Sequence, residues 1–572
     1  MSNSIEDIET ADVIFQIGGN AHSAHPIIGT FLEGTAKRGA KYIMADPRVV
    51  GSAKFADIHM RQNIGTDIAL VNGMMHHIIT NDLHNKEFLE KHTHGIDEFW
   101  EVVKNYTPAY ASEISGVPVA QITEAAELFA KAPAAAITWG MGIAQRANAV
   151  RTVWTLTNLA LICGQIGRPG TGLNPLRGQN NVQGSGDMGL NPGWYPGYQM
   201  FNVPYVTGLG GKEETAINNH AKFEKAWGVT MPTERGISQM EMSDAAGLGT
   251  IKSMYISGSD PIAMAPNSNK GKRDYANLEF LVVQDLFINE TAKFADVILP
   301  ASSNLEMYGT VTNTERRVQL VRPVIQPVGE SRPDYEITLA LMERFGYDQS
   351  HLMGKDNQET AQKILQEIAL LAPQYGGVNH ARIERMDTKS QGVRWPIPAD
   401  APEDSIGTRF MYANGFAAGK VSLKGQEHSL PSEPVCETYP LTLVTIRDLY
   451  HYDNGTMTNK SGVLMRLMPH GIFEMSENTA KSYGLVNGDL ATVRSRRGEA
   501  DAFIRVNPGI ADGQVYADFH HSSTLINNVT QDTLDPLAKE PELKACAITL
   551  EKKAEAGSFD HSQVVKALVP AV

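Results

Sequence analysis

Short apolar runs alternate with helix-like stretches through the first 180 residues. ADVIFQIGGN (11–20) reads as a buried strand stopping in Gly18-Gly19-Asn20, AKYIMADPR (40–48) as a second stopping in Asp46-Pro47-Arg48, and AAAITWGMG (134–142) as a third closed by glycine. Between them, HPIIGTFLEGTAKRG (25–39), the stretch that starts near Thr66 or Asp67, and 147–163 carry apolar residues at helical spacing. Strands alternating with helices predict right-handed crossovers and a parallel sheet. The pattern restarts with IKSMYISGSDP (251–261), LEFLVVQDLF (278–287) and ADVILPAS (295–302), followed by a helix over 335–345 and a long Pro- and Gly-rich region reaching about Pro434. The last 140 or so residues change period: YPLTLVTIRDLYHY, LATVRSRRGEADAFIRV and GQVYADFHH alternate like half-buried strands, with one helix over 477–483, which predicts a β-barrel. The expected architecture is α/β: two Rossmann-like parallel-sheet blocks (1–180, and 181–400, the second incomplete), a linker (401–434) and a C-terminal barrel domain (435–572).

At 572 residues with 42% hydrophobic and 20% charged positions, the chain has room for several cores. Its net charge of −14 argues against a nucleic-acid or acidic-membrane binder. Cys163, Cys436 and Cys546 stand far apart with no C-x-x-C, so a disulfide framework and a cysteine-held zinc or iron–sulfur cluster within these residues are not expected. No apolar run reaches membrane-spanning length and MSNSIEDIET is unlike a signal peptide, which predicts a cytoplasmic chain without direct membrane insertion.

Open α/β sheets bind ligands at the C-terminal ends of their strands. Here those ends carry Asn20, Asp46 with Arg48, Met141, Asp260, and Gln284 with Asp285. A carboxylate so placed can accept hydrogen bonds from ribose or from guanine, and neighbouring glycines admit a pyrophosphate; alternatively, a single strand-terminal Asp caps the next helix. Two such blocks imply two nucleotide sites, or one ligand with two nucleotide arms. No G-x-G-x-x-G and no P-loop occur, which counts against a nicotinamide dehydrogenase or an ATPase. His22 and His25, the His76-His77 pair and the His520-His521 pair read as structural, and Arg494, Arg496 and Arg497 as a solvated face. The strongest signal is RGQNNVQGSGDMG (177–189), amide- and glycine-rich, which a ligand or neighbouring domain is expected to hold in place. Arg177 opens it with a planar fork suited to a small carboxylate; an interdomain salt bridge is the alternative.

NPLRGQNNVQGSGDMG with YPGYQ, the VQDLF…TAKFADVILP stretch and LINNVTQDTLDP closely resemble the catalytic subunit of formate dehydrogenases that carry a bis-molybdopterin guanine dinucleotide with molybdenum or tungsten. The resemblance implies an anaerobic enzyme that oxidises formate to CO2 and passes two electrons to an iron–sulfur electron-transfer subunit. It implies that Asn20, Asp46, Arg48, Gly65 and Asp67 serve one dinucleotide, with Met141, Gln145 and Gln179 close by, and that Asp260, Gln284, Asp285 and Asp334 serve the other. Arg447, His451 and Lys544 reach in from the barrel, and Arg177 orients formate. Ala301, Phe519, Met264 and Asp453 depart from the family's residues at contact positions, and Gly186 stands where many relatives have cysteine. Family members begin with a Cys-rich segment holding an iron–sulfur cluster, then a metal-ligating cysteine or selenocysteine beside a histidine. The expectation is therefore an N-terminally truncated subunit, left by a selenocysteine codon read as stop or by a split gene, whose missing N-terminal segment acts as a partner and without which formate is not turned over. Competing readings are another molybdopterin oxidoreductase or a non-catalytic cofactor-binding or assembly protein.

Overall fold

The computed structural model describes residues 1–204, 212–385 and 392–557. In it, Val13–Ile17 lies between Lys41–Ala45 and Ala135–Trp139, with Ile58–Met60 and Gly172–Pro175 at the edges, all five strands parallel. The sheet is covered on both faces, and the period of two decides which residue meets which cover. Phe15, Ile17 and Ile137 join Leu70, Phe129 and Leu159 from the helices Asp67–Thr80, Val119–Lys131 and Ala149–Ile162. Ile14, Tyr42 and Met44 point the other way, against Ile28 and Leu32 of Pro26–Lys37.

The C-terminal region closes into a six-stranded barrel in the order Leu441–Ile446, Gln514–Asp518, Ile472–Met475, Glu499–Val506, Leu490–Arg494, Cys546–Ala554. Leu443, Phe473, Val493, Val515 and Ile548 fill it. The predicted helix runs Glu477–Ser482, with Ser476 accepting from the Thr479 N–H at 3.1 Å as its N-cap.

Two compact units result. One comprises Met1–Leu176, Asp260–Arg273 and the chain from Phe410 onward; the other comprises Arg177–Ser259 and Asp274–Arg409. Within the first, 421–426 runs along the α/β part. Val421–Ser422 pairs with Thr93–His94, the Gln426 carbonyl accepts from Asn72 Nδ2 at 2.8 Å, and the Lys424 carbonyl accepts from Asn158 Nδ2 at 2.7 Å. The second unit holds a parallel sheet ordered Val297–Pro300, Phe280–Asp285, Ser253–Ser257 and an antiparallel one ordered Gly309–Thr312, Arg317–Val321, Val393–Arg394.

Three expectations need correction. The Pro- and Gly-rich stretch contains a four-turn helix, Asn357–Leu371, capped by Asp356 accepting from the Glu359 N–H at 2.8 Å. The amide-rich loop contains a helical turn, Val182–Asp187. Arg497 is not a solvated cation: its side chain is 13% exposed and bonded through Nη2 to Glu433 at 2.7 Å.

Candidate functional site

In the first unit the three central strands end side by side, because parallel neighbours share direction, and Gly18-Gly19-Asn20, Asp46-Pro47-Arg48 and Gly140-Met141 follow one another along one edge. Close packing of these turns requires glycine: a Cβ on Gly142 would sit 2.7 Å from the Gly18 carbonyl oxygen. Buried Gln16 bridges from the Tyr42 hydroxyl to the Gly19 carbonyl and fixes the first turn. Asn20 donates to Ser23 Oγ at 3.0 Å, while its side-chain oxygen is buried without an acceptor bond among the described residues. Such an orphan acceptor is uncommon in a folded protein and fits a ligand that brings N–H or O–H groups.

Asp46 is 8% exposed; burial raises its carboxyl to about 6, with the Arg48 charge pulling the other way. Its Oδ1 accepts from the Arg48 N–H at 3.0 Å. The Arg48 guanidinium lies 4.7 Å over the Tyr516 ring and 3.7 Å from Glu474. Asp67, also buried, opens its helix and accepts from Gln62 Nε2 at 3.1 Å. Gly65 has a different reason to be glycine: a Cβ there would meet the Arg146 guanidinium at 2.5 Å. Arg146 in turn bonds Glu542 at 3.1 Å, both side chains under 5% exposed.

From the barrel side, Lys544 is buried and donates to the Thr445 carbonyl at 2.7 Å and its hydroxyl at 3.1 Å. Burial first, and the Arg48 charge second, bring its ammonium down to about 7. The group opposing this is Glu540, itself raised by burial to about 7 and hydrogen-bonded to Gln145. A buried ammonium bonded to a carbonyl and a hydroxyl gains from an added anion, and this, with the Asn20 oxygen, fits a pyrophosphate-bearing nucleotide. Met141 is 43% exposed and begins the short helix Met141–Ala144.

Asp260 also lies in the first unit, where its Oδ2 accepts from Asn454 Nδ2 at 3.0 Å. Arg447 lies 5.2 Å over the Tyr452 ring. Both His451 nitrogens are engaged, Nδ1 with Thr458 Oγ1 at 3.1 Å and Nε2 with the Met468 carbonyl at 2.8 Å. His520 accepts from the Asp448 N–H at 2.8 Å, as a structural histidine should, and burial holds it down at about 4. His22 bonds Ser52 Oγ at 2.9 Å and stacks on Phe55.

In the second unit Arg177 is exposed, and its guanidinium has no ion-pair partner among the described residues. Its backbone N–H donates to Thr314 Oγ1 at 3.1 Å. The loop it begins is tied by bonds within its own unit. Asn181, at φ +56°, accepts from the Thr312 N–H at 2.9 Å. Fully buried Asp187 accepts from Gln183 Nε2 at 2.7 Å, from Trp395 Nε1 at 2.7 Å and from the Tyr375 hydroxyl. Gln183 also bonds the Tyr198 hydroxyl at 3.0 Å, and the Arg177 charge opposes the upward shift that burial gives that phenol. Gln179 is half-buried on the same loop. Gln284, 1% exposed, sits between the Tyr255 hydroxyl and Asp334, whose carboxyl burial raises. Asp285 ends its strand with Oδ1 accepting from the Leu286 N–H at 2.6 Å and Oδ2 from Asn289 Nδ2 at 2.8 Å.

Sequence reasoning missed Glu540, Asp187 and Tyr198. YPGYQ was in view, but nothing in a sequence marks which tyrosine reaches a carboxylate 11 residues upstream. Among the described residues no helix is long and apolar enough to cross a membrane.

Residues 1–344 match the model of the molybdopterin oxidoreductase family, and 441–547 that of the molydopterin dinucleotide binding domain. The F420-dependent formate dehydrogenase subunit alpha of Methanocaldococcus jannaschii is 39% identical over 554 residues, covering 96% of this chain and 78% of that one. Formate dehydrogenase H of Escherichia coli is 32% identical over 559 residues, covering 97% and 75%. The acetylene hydratase of Pelobacter acetylenicus superposes with a TM-score of 0.73 at 20% identity, over 96% of this chain and 79% of the other, and shows the fold.

Proposed function

The chain belongs to the molybdopterin oxidoreductase family, and from that premise we propose that it acts as the alpha subunit of a cytoplasmic formate dehydrogenase using a bis-molybdopterin guanine dinucleotide. Asn20, Asp46, Arg48, Asp67, Gln145 and Lys544 would hold one dinucleotide arm. Gln284 and Asp334 would hold the other. When bound, the cofactor with its molybdenum or tungsten supplies the acceptor for the two electrons that leave as formate becomes CO2 and a proton. An iron–sulfur partner subunit would carry those electrons away.

The chain's own contribution to substrate handling is Arg177. A guanidinium without a carboxylate partner among the described residues, on a loop tied down through Asn181, Gln183 and Asp187, presents a fork to a small carboxylate. That fork, without an ion-pair partner among the described residues and based on a tied loop, is the observation that carries the reading. Lys544 acts by charge: burial displaces its ammonium toward neutrality, and an anionic ligand beside it favours the charged form, whereas Asp46, raised by burial, is favoured as a carboxylate by N–H or O–H donors of the ligand.

The test uses the protein purified with whatever subunits accompany it. Acid hydrolysis should release two guanine nucleotides per chain. Arg177→Lys should lower formate turnover roughly 10- to 100-fold, the loss expected when about 1.5–3 kcal/mol of charge-assisted bonding is removed. Two guanines with no formate-dependent electron transfer in the complete complex would identify a cofactor carrier instead. Unchanged kinetics in Arg177→Lys would remove Arg177 from substrate handling.

A further inference from the structure

Apart from the strand ends discussed above, the first unit has a second recess of about 580 Å³ at the opposite edge of its sheet. It opens where Ala135–Trp139 begins, between the helix Lys86–His92, the end of Val119–Lys131 with Ala132 and Pro133, and the turn 163–168 that follows Ala149–Ile162. A five-residue strand spans about 17 Å, so this recess and the Gly140-Met141 turn lie at opposite ends of one element. Gln165 builds its back wall, accepting from the Ala135 N–H at 3.0 Å and donating to the Ala132 carbonyl at 2.8 Å.

The charges around it do not cancel. Arg168 donates to the Pro133 carbonyl at 2.8 Å, the Gly164 carbonyl at 3.1 Å and Gln165 Oε1 at 3.0 Å, all neutral acceptors. That occupies three of its five N–H groups and fixes the guanidinium without neutralising it. Lys91 has no ion pair among the described residues, and Glu87 is the one carboxylate in the lining. The formal sum of Lys91, Arg168 and Glu87 is +1, in a chain whose net charge is −14. Beside the cations lies an apolar, partly aromatic wall: Leu83, Ala132 and Pro133, with the Phe88 and His92 rings 4.7 Å apart and inclined at 40°. A volume of this size suits a small molecule, being far larger than a one-carbon substrate needs.

The geometry points to a second ligand site in this protein, one that takes a monovalent organic carboxylate with a flat or apolar body. Arg168 and Lys91 receive the carboxylate, and the Phe88–His92 side receives the ring. One positive charge of excess matches a monoanion and leaves a phosphate dianion half-compensated.

Benzoate is the probe, with benzamide as its uncharged isostere, titrated calorimetrically into the complete protein. Benzoate should bind saturably and benzamide at least tenfold more weakly. Lys91→Glu, at an exposed position without a side-chain hydrogen bond or ion pair among the described residues, should weaken benzoate at least tenfold with only the small drop in melting temperature that a carboxylate in the last turn of its helix, four residues from Glu87, brings. Arg168→Gln should do the same, and if its lost carbonyl contacts destabilise the fold, Lys91→Glu alone decides. Equal binding of benzoate and benzamide, absence of saturable benzoate binding, or unchanged affinity in Lys91→Glu would each overturn the assignment.

Discussion

In the first parallel sheet every residue of Val13–Ile17 and of Ala135–Trp139 is buried; in the second, Ser253–Ser257 alternates exposed and half-buried positions and Val297–Pro300 has no buried residue at all. Both sets of strands carry the same apolar code, ending in small or polar residues, and both pair in parallel. What differs is cover. The first sheet has helices on both faces, whereas Tyr255, Phe280 and Ile298 of the second are each more than 40% exposed. Apolar content therefore tells which segments become strands, and burial alone tells what each side chain is worth.

That distinction can be broken or sharpened by substitution. The largest effect should come from Phe15→Ala, which empties a site packed edge-on against Phe129 at 6.3 Å and should cost about 3–5 kcal/mol in denaturant unfolding. Leu281→Ala, in the buried heart of the second sheet at 1% exposure, should cost about 2–4 kcal/mol. A smaller effect, and one that depends on pH, belongs to the barrel that completes the first unit. Burial raises Asp518 to about 7 and lowers His520 and His521 to about 4 and about 3. The Asp518 contribution is fully present below the ordinary carboxylate range and is lost as pH rises through 7. The histidine contribution is present above 6.5 and is lost as pH falls toward 4. Asp518→Asn should remove the first and leave the second, so that melting temperature rises more steeply between pH 5 and 6.5 than in the parent and no longer falls between 6.5 and 7.5; an unchanged pH profile in the variant would place the carboxyl contribution elsewhere. The smallest effect should be Ile298→Ala, within about 0.5 kcal/mol. If it matched Leu281→Ala, the contrast between the sheets would fail.

Much of this was readable in advance because the strands have clean ends and the helices between them apolar stripes. Where the stripe is missing, so was the reading: Glu213–Trp227 buries only Ala216 and Phe223 along its whole length, and its sequence EETAINNHAKFEKAW gives no face to recognise. Asp260 could be placed at a strand end, but not in the first unit, since its partner Asn454 lies 194 residues away. The same distance effect hid Glu433, which converts Arg497 from a surface charge into an anchored one. At the site, residue types at the strand ends and the Arg177 loop were legible; which of the loop's polar side chains are engaged internally was not, because Thr312, the partner of Asn181, and Tyr375 and Trp395, the partners of Asp187, come from other parts of the chain.

The bond between Arg146 and Glu542 spans 396 residues. On a ribosome adding about 5–20 residues per second, the carboxylate arrives roughly 20–80 s after the guanidinium it neutralises. Through that interval the guanidinium lies uncovered on the early domain, because Pro431, Glu542 and Leu543, which close over it and its neighbour Gln145, are not yet all made, and chaperone engagement or proteolysis during synthesis should fall between the emergence of Arg146 and Glu542.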